Sequence, residues 1–177
     1  DLLVGVTQCF RDPDSWEALR GPLLEMLTSG GSLRIWSAGC ATGEEAYSVA
    51  MLVLELLEDN NLKADVKVLA TDIDEESLAV ARSGTYGLQL KNQISPERLS
   101  RFFSITGEGY RVGREVRQIC QFSQHNLVTD PPFVEIDLVL CRNVLIYLSP
   151  ALQQKLVPLF HYALRGGGYL LLGSSET

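Results

Sequence analysis

The chain has 177 residues, enough for one domain with a sizeable core, and 46% of them are hydrophobic, which is ordinary for a globular protein. Its 22 acidic residues outweigh 15 basic ones for a net charge of −7, which disfavours nucleic acid as a partner because phosphate neutralisation needs a basic footprint. No apolar run reaches the length of a membrane span and no secretory signal is recognisable, so the expected location is the cytoplasm.

Taken in order, Asp12-Pro13 supplies an N-cap and a first-turn proline for a helix through Trp16, Leu19, Leu23, Leu24 and Leu27, ended by Ser29-Gly30-Gly31-Ser32. An apolar run at Leu33, Ile35 and Trp36 then meets the small-residue turn Ser37-Ala38-Gly39-Cys40-Ala41-Thr42-Gly43. Val49, Leu52, Val53, Leu56 and Leu57 follow at helical spacing. A strand that breaks at glycines and feeds a helix is how doubly wound α/β folds open a nucleotide-sized crevice. The turn lacks the third glycine of a dinucleotide fingerprint and the Lys-Ser/Thr of a P-loop. Glu44 and Glu45 stand where a pyrophosphate would need donors and positive charge. Anionic ligands are disfavoured; a cationic adenosyl ligand such as S-adenosylmethionine fits better.

Val66 to Thr71 reads as the second strand, ending at Asp72-Ile73-Asp74, with a helix from Glu75 to Arg82. Asp72, at the strand tip, is the candidate for ribose hydroxyls; alternatively, Asp72 and Asp74 both cap the next helix. Residues 83–124 break the βα repeat. Ser95-Pro96-Glu97 starts a short helix, and Tyr110 to Val112 with Val116 to Phe122 reads as a hairpin joined through Gly113-Arg114. Arg98, Arg101, Arg111, Arg114 and Arg117 stand out here in an acidic protein, either as a solvated surface or as a docking face. Gln121 to Asn126 is the expected third main strand and Asp137 to Cys141 the fourth. Pro150 opens a helix stopped by Gly166-Gly167-Gly168, and Tyr169 to Leu172 forms the fifth strand. The expected fold is α/β, a Rossmann-like doubly wound sheet in the order 3-2-1-4-5 with a small antiparallel insertion.

The four cysteines, Cys9, Cys40, Cys120 and Cys141, show no C-x-x-C spacing and are accompanied by only two histidines. They read as buried reduced thiols, and no metal site is expected.

Several blocks together resemble the chemoreceptor glutamate methyltransferases of the CheR family. They are Thr7-Gln8-Cys9-Phe10-Arg11, Ser37 to Ser48, Ala70 to Asp74, Ala81 to Tyr86, Phe122 to Leu127, Cys141 to Tyr147 and Gly173 to Glu176, and they occur in the family's order. The resemblance implies a class I S-adenosylmethionine-dependent methyltransferase that esterifies glutamate side chains of chemotaxis receptors. It implies cofactor contacts from Thr7, Arg11, Ala38, Glu45 and Asp72, with Asp72 on the ribose. Asn126 and Leu127 fall in the adenine neighbourhood, and Arg142 and Asn143 line the methionine end. Arg11 and Tyr147 match the residues nearest the transferred methyl group.

The resemblance spans 1–177 as one domain, with 87–121 as an inserted helix plus β-hairpin matching the family's receptor-gripping subdomain. The family's helical N-terminal domain and its closing C-terminal strands are expected to be missing from a chain that starts at Asp1 and stops at Thr177. Gly5 replaces a frequent asparagine, Cys9 an aromatic and Ala46 a proline. The competing readings are a non-catalytic module that binds S-adenosylmethionine or S-adenosylhomocysteine, and a methyltransferase for another protein or a small-molecule acid.

Overall fold

A computed structural model describes residues 7–142 and 144–173. Helix α1 (Pro13–Gly30) is the first element among the described residues and places Trp16, Leu19, Leu23 and Leu27 on its buried stripe. Strand β1 (Ser32–Ala38) leads into helix α2 (Glu44–Asp59), and β2 (Asp65–Asp72) into α3 (Glu75–Ser83). Then come β3 (Thr85–Gly87), α4 (Pro96–Phe102), β4 (Phe103–Thr106), β5 (Gly109–Val112) and α5 (Arg114–Ile119). The chain closes through β6 (Cys120–Gln124), β7 (Ile136–Cys141), α6 (Pro150–Ala163) and β8 (Leu164–Leu172).

The main sheet is parallel in every pairing and runs β6-β2-β1-β7-β8, the expected 3-2-1-4-5 order. β1 lies at its centre, where the strand order reverses, and period-2 alternation sends its side chains to opposite faces. Leu33 and Ile35 join the core under α1 and α2, whereas Trp36 and Ala38 enter a second core with Leu156 and Phe160 of α6. Trp36 is fully buried, meets the rings of His125, Phe133 and Phe160 edge-on, and donates its indole N–H to the Thr71 hydroxyl at 2.9 Å.

A second, antiparallel sheet has the order β3-β5-β4. Its hairpin lies one step upstream of the expected one. Gly107-Glu108 joins β4 to β5, and residues 114–119 are helical rather than extended. Val116 and Ile119 fit an i, i+3 stripe as well as an alternating one. Packing Val116 into the core beside α2 selects the helix.

Three further expectations are corrected. Asp12 is not a side-chain cap for α1; it adopts a left-handed φ of 56° and its carboxylate is drawn to Arg142. Gly166 to Gly168 do not stop α6, which ends at Ala163. They form an irregularity inside β8, where pairing jumps from Ile136–Leu164 to Leu138–Tyr169 and Gly167 takes φ 82°. The third main strand ends at Gln124, and Asn126 belongs to a turn closed by Asp130.

Candidate functional site

The carboxyl ends of β1, β2, β6 and β7 surround one continuous cleft. Its wider part encloses about 570 Å³ and is lined by Asp72, Ile73, Asp74 and Ser77 on one side and His125, Asn126, Leu127 and Val128 on the other. A narrower recess of about 70 Å³ is lined by Gln8, Arg11, Trp16, Cys40, Glu45 and Arg142. Thr7, Gly39, Ala41 and Tyr147 border both spaces and mark their junction.

The loop from Gly39 to Gly43 forms the floor. The Gly39 and Cys40 N–H groups both donate to the Thr71 carbonyl at 2.8 Å, locking the loop to the end of β2. Gly39 has φ 73°, and a Cβ there would lie 2.4 Å from Cγ2 of Val144, so only glycine fits. Asp72 accepts from the Ala41 N–H at 2.8 Å and from the Asp74 N–H at 2.9 Å, one bond to each carboxylate oxygen. A carboxylate has about four lone-pair sites, which leaves capacity for two more donors such as a ribose diol. Asp74, by contrast, is the cap of α3, accepting from the Glu76 N–H and the Ser77 hydroxyl. The two strand-tip acids therefore have separate jobs.

At the narrow end, Arg142 is almost fully buried. Its Nη2 donates to the Arg11 carbonyl and to the Asp12 carboxylate, both at 2.9 Å, and its guanidinium lies over the Trp16 ring. Its buried Nε has no hydrogen-bond partner among the described residues, an orphan donor beside the recess. Glu45 accepts from the Ser37 hydroxyl at 2.8 Å. Glu44 is buried at the N-terminus of α2; burial raises its pKa while the Thr42 hydroxyl counters the rise. Asp72 in the wider part and Glu45 in the recess bring negative charge to the cleft lining, with the cations Arg11 and Arg142 at the narrow end.

The thiols nearby are chemically quiet. Burial first, then the Glu44 charge, pushes Cys9 up to about 12, and burial with Asp72 and Glu45 raises Cys40 as well. Neither is a thiolate near neutral pH.

Of the residues singled out in the sequence, Thr7, Arg11, Glu45, Asp72, Asn126, Leu127, Arg142 and Tyr147 all line the cleft. Ala38 lies behind the wall, buried in the second core, and the lining begins one residue later at Gly39. Asn143 and Gly5 fall outside the described residues, as do Ser174 to Glu176. Ser77 and Ile73 had a readable signal, because residues around the cap of α3 must lie at the same sheet edge as Asp72. Trp16 read only as a core position of its helix; it reaches the recess by donating its indole N–H to the Arg11 carbonyl at 2.8 Å and by packing under Arg142.

Residues 5–177 match the family described as CheR methyltransferase, SAM binding domain. The chain belongs to this family. The CheR domain is 42% identical, over its whole length, to an uncharacterized 104.1 kDa protein of Rhodobacter capsulatus, of which it covers 19%. It is 39% identical over 97% of its length to chemotaxis protein methyltransferase 1 of Pseudomonas aeruginosa, covering 65% of that protein, and 36% identical over 99% to a putative methyltransferase of Pseudomonas putida, covering 66%. The chain thus spans about a fifth of the first relative and just under two thirds of the other two.

Among solved structures, the TehB-like SAM-dependent methyltransferase of Corynebacterium glutamicum superimposes with a TM-score of 0.51 at 15% identity, covering 91% of the CheR domain and 69% of that chain. The glycopeptide N-methyltransferase MtfA superimposes with a TM-score of 0.52 at 16% identity, covering 97% and 52%. At such identities the likeness shows a shared class I methyltransferase fold. Among the described residues, no helix is long and apolar enough to cross a membrane.

Proposed function

We propose that this domain transfers the methyl group of S-adenosylmethionine to glutamate side-chain carboxylates of chemotaxis receptors, giving glutamyl methyl esters. The observation that carries the reading is the two-part cleft. Asp72, Asn126 and Leu127 border a space sized for an adenosine, and Arg11, Glu45 and Arg142 border the recess continuous with it. In this reading Asp72 holds the ribose, Asn126 and Leu127 flank the adenine, and Thr7, Glu45, Arg142 and Asn143 hold the methionine end, with Ala38 supporting the wall from behind. Arg142, which lines the recess, brings a positive charge that a bound carboxylate would meet.

The bound cofactor supplies an electrophilic methyl carbon on a sulfonium. The acceptor glutamate is already ionised near neutral pH, so the protein needs no general base. Its task is to hold the carboxylate in line with the sulfur–carbon bond and to keep water out. In this reading the task falls to Arg11 and Tyr147, which both line the recess. Tyr147 is half-exposed at the junction of the two spaces, where its hydroxyl can hydrogen-bond an incoming oxygen. Arg11 orients the acceptor without a tight ion pair, which would blunt the nucleophile. Arg11→Ala is expected to lower turnover about a hundredfold while S-adenosylhomocysteine affinity stays within a few-fold. Equal losses in both quantities would remove Arg11 from this role.

The receptor would meet the 87–121 insertion. β4 is an edge strand of the small sheet, and Ile105 on it is 83% exposed, a surface suited to pairing with an extended peptide. Three of the five arginines are engaged by other residues of the chain, Arg101 at the surface. Arg98 forks onto Glu55, Arg101 pairs with Glu58, and the Arg117 Nε donates to the Val112 carbonyl. Arg111 and Arg114 are exposed, as is Lys91, and these are cations the insertion offers for docking.

The deciding experiment incubates the protein and methyl-labelled S-adenosylmethionine with receptor fragments and scores alkali-labile methanol, which methyl esters release and N-methyl groups do not. Label that survives mild base would refute carboxyl methylation. No label alongside tight binding of S-adenosylhomocysteine would turn the reading to a cofactor-binding signalling module.

A further inference from the structure

Two segments form walls of the cleft, and each, besides its bonds to the parallel sheet and α2, has an anchor outside them. The first is the loop that ends β1. Its early part is locked to β2 through Thr71 and Asp72, but Thr42 lies beyond those bonds. The Thr42 carbonyl accepts instead from the phenol of Tyr86 at 2.7 Å, and Tyr86 stands on β3 of the small antiparallel sheet. The next residue, Gly43, packs so closely on this support that a Cβ there would lie 3.1 Å from the same phenol oxygen.

The second wall is the strap from Thr7 to Arg11. The Cys9 N–H donates to Oε1 of Gln93 at 3.2 Å, and Gln93 follows β3 on the way to α4. One residue on, the Phe10 ring lies 3.9 Å beneath the guanidinium of Arg98 in α4. Phe10 holds a φ of 51°, a conformation that a bulky side chain rarely adopts and that needs such support.

We infer that Tyr86 and Gln93 are positioning residues for the cofactor: the antiparallel unit holds the Thr42 loop with one and the Thr7–Arg11 strap with the other, and so sets the width of the cleft between them. Neither side chain lines the cleft. Burial, reinforced by Glu44, raises the Tyr86 pKa, so the phenol keeps its proton and remains a donor throughout the working pH range. The inference rests on the cofactor reading of the cleft and adds that cofactor affinity depends on a unit that does not touch the cofactor.

The test is calorimetric titration of S-adenosylhomocysteine into the wild-type chain and into Tyr86→Phe, Gln93→Leu and Gln93→Glu, with thermal unfolding of each. Val116→Ala serves as the comparison, since it loosens α5 within the core and hydrogen-bonds neither wall. Tyr86→Phe and Gln93→Leu are each expected to raise Kd about tenfold, the worth of one well-placed hydrogen bond. Gln93→Glu, which keeps an acceptor for the Cys9 N–H, should return Kd to within about threefold of wild type on the same arithmetic. Val116→Ala should lower the unfolding temperature and leave Kd unchanged.

Unchanged Kd in both Tyr86→Phe and Gln93→Leu, with wild type binding normally, would overturn the inference alone. A loss of affinity in Val116→Ala as large as theirs would do the same, by showing a general loosening. A wild-type chain that fails to bind S-adenosylhomocysteine would instead overturn the cofactor reading, and this inference with it.

Discussion

Asp72→Ala is expected to weaken S-adenosylhomocysteine binding by at least about a hundredfold, the equivalent of losing two hydrogen bonds to a charged acceptor. The carboxylate has two roles that fail together. It offers its remaining lone pairs to the ligand's ribose, and it fixes the backbone of Ala41 and Asp74 on the two sides of the cleft. Asp72→Asn separates the roles: the amide retains one acceptor oxygen, but its NH2 then faces one of the two backbone donors. Binding of the asparagine variant should fall between wild type and alanine. Isothermal titration of the three proteins checks the order, and alanine binding within about threefold of wild type would exclude Asp72 as a ligand group, because a charge-assisted bond is worth more than that.

Gly39→Ala is expected to destabilise the domain by about 2–5 kcal/mol and to abolish cofactor binding. Two penalties combine: a left-handed φ of 73° in a residue with a Cβ, and a methyl group 2.4 Å from Cγ2 of Val144. Gly39 borders both parts of the cleft, so any adjustment that relieves the clash moves the junction itself. Val144→Ala in the same chain removes the steric part and leaves the backbone part. The double variant should therefore be more stable than Gly39→Ala alone, by about 1–3 kcal/mol in urea unfolding, a non-additivity expected only of residues in contact. A double variant less stable than either single one would refute this account of the glycine.

The sheet order was legible because β1, β2 and β7 are short apolar runs each leading into a helix, and the breaks at Gly39 and at Asp72 to Asp74 mark the edge where ligands bind. The candidate ligand residues were legible for the same reason, since the ends of consecutive parallel strands share one edge. Legibility ended where two periods fit the same residues. Val116 to Phe122 alternates and also carries a helical pair, so alternation alone points to a hairpin one element downstream of the observed one. The three glycines after Leu164 read as a helix stop, yet they are an irregularity in a strand that pairs on both sides of them.

By itself, then, the sequence determined the fold class, the strand order and the sheet edge that carries the cleft. All three follow from local periodicity and from turns that only glycine can make. Tertiary structure alone decided how the cleft is held. The Asp12 carboxylate pairs with Arg142, 130 residues away, instead of capping α1, and Tyr86 reaches across to the Thr42 carbonyl, 44 residues back. Gln93 took the Cys9 N–H over a separation of 84 residues. Such pairs have no period and no spacing rule. They form because buried polar groups must find partners, and which partner lies in reach is known only once the chain has packed.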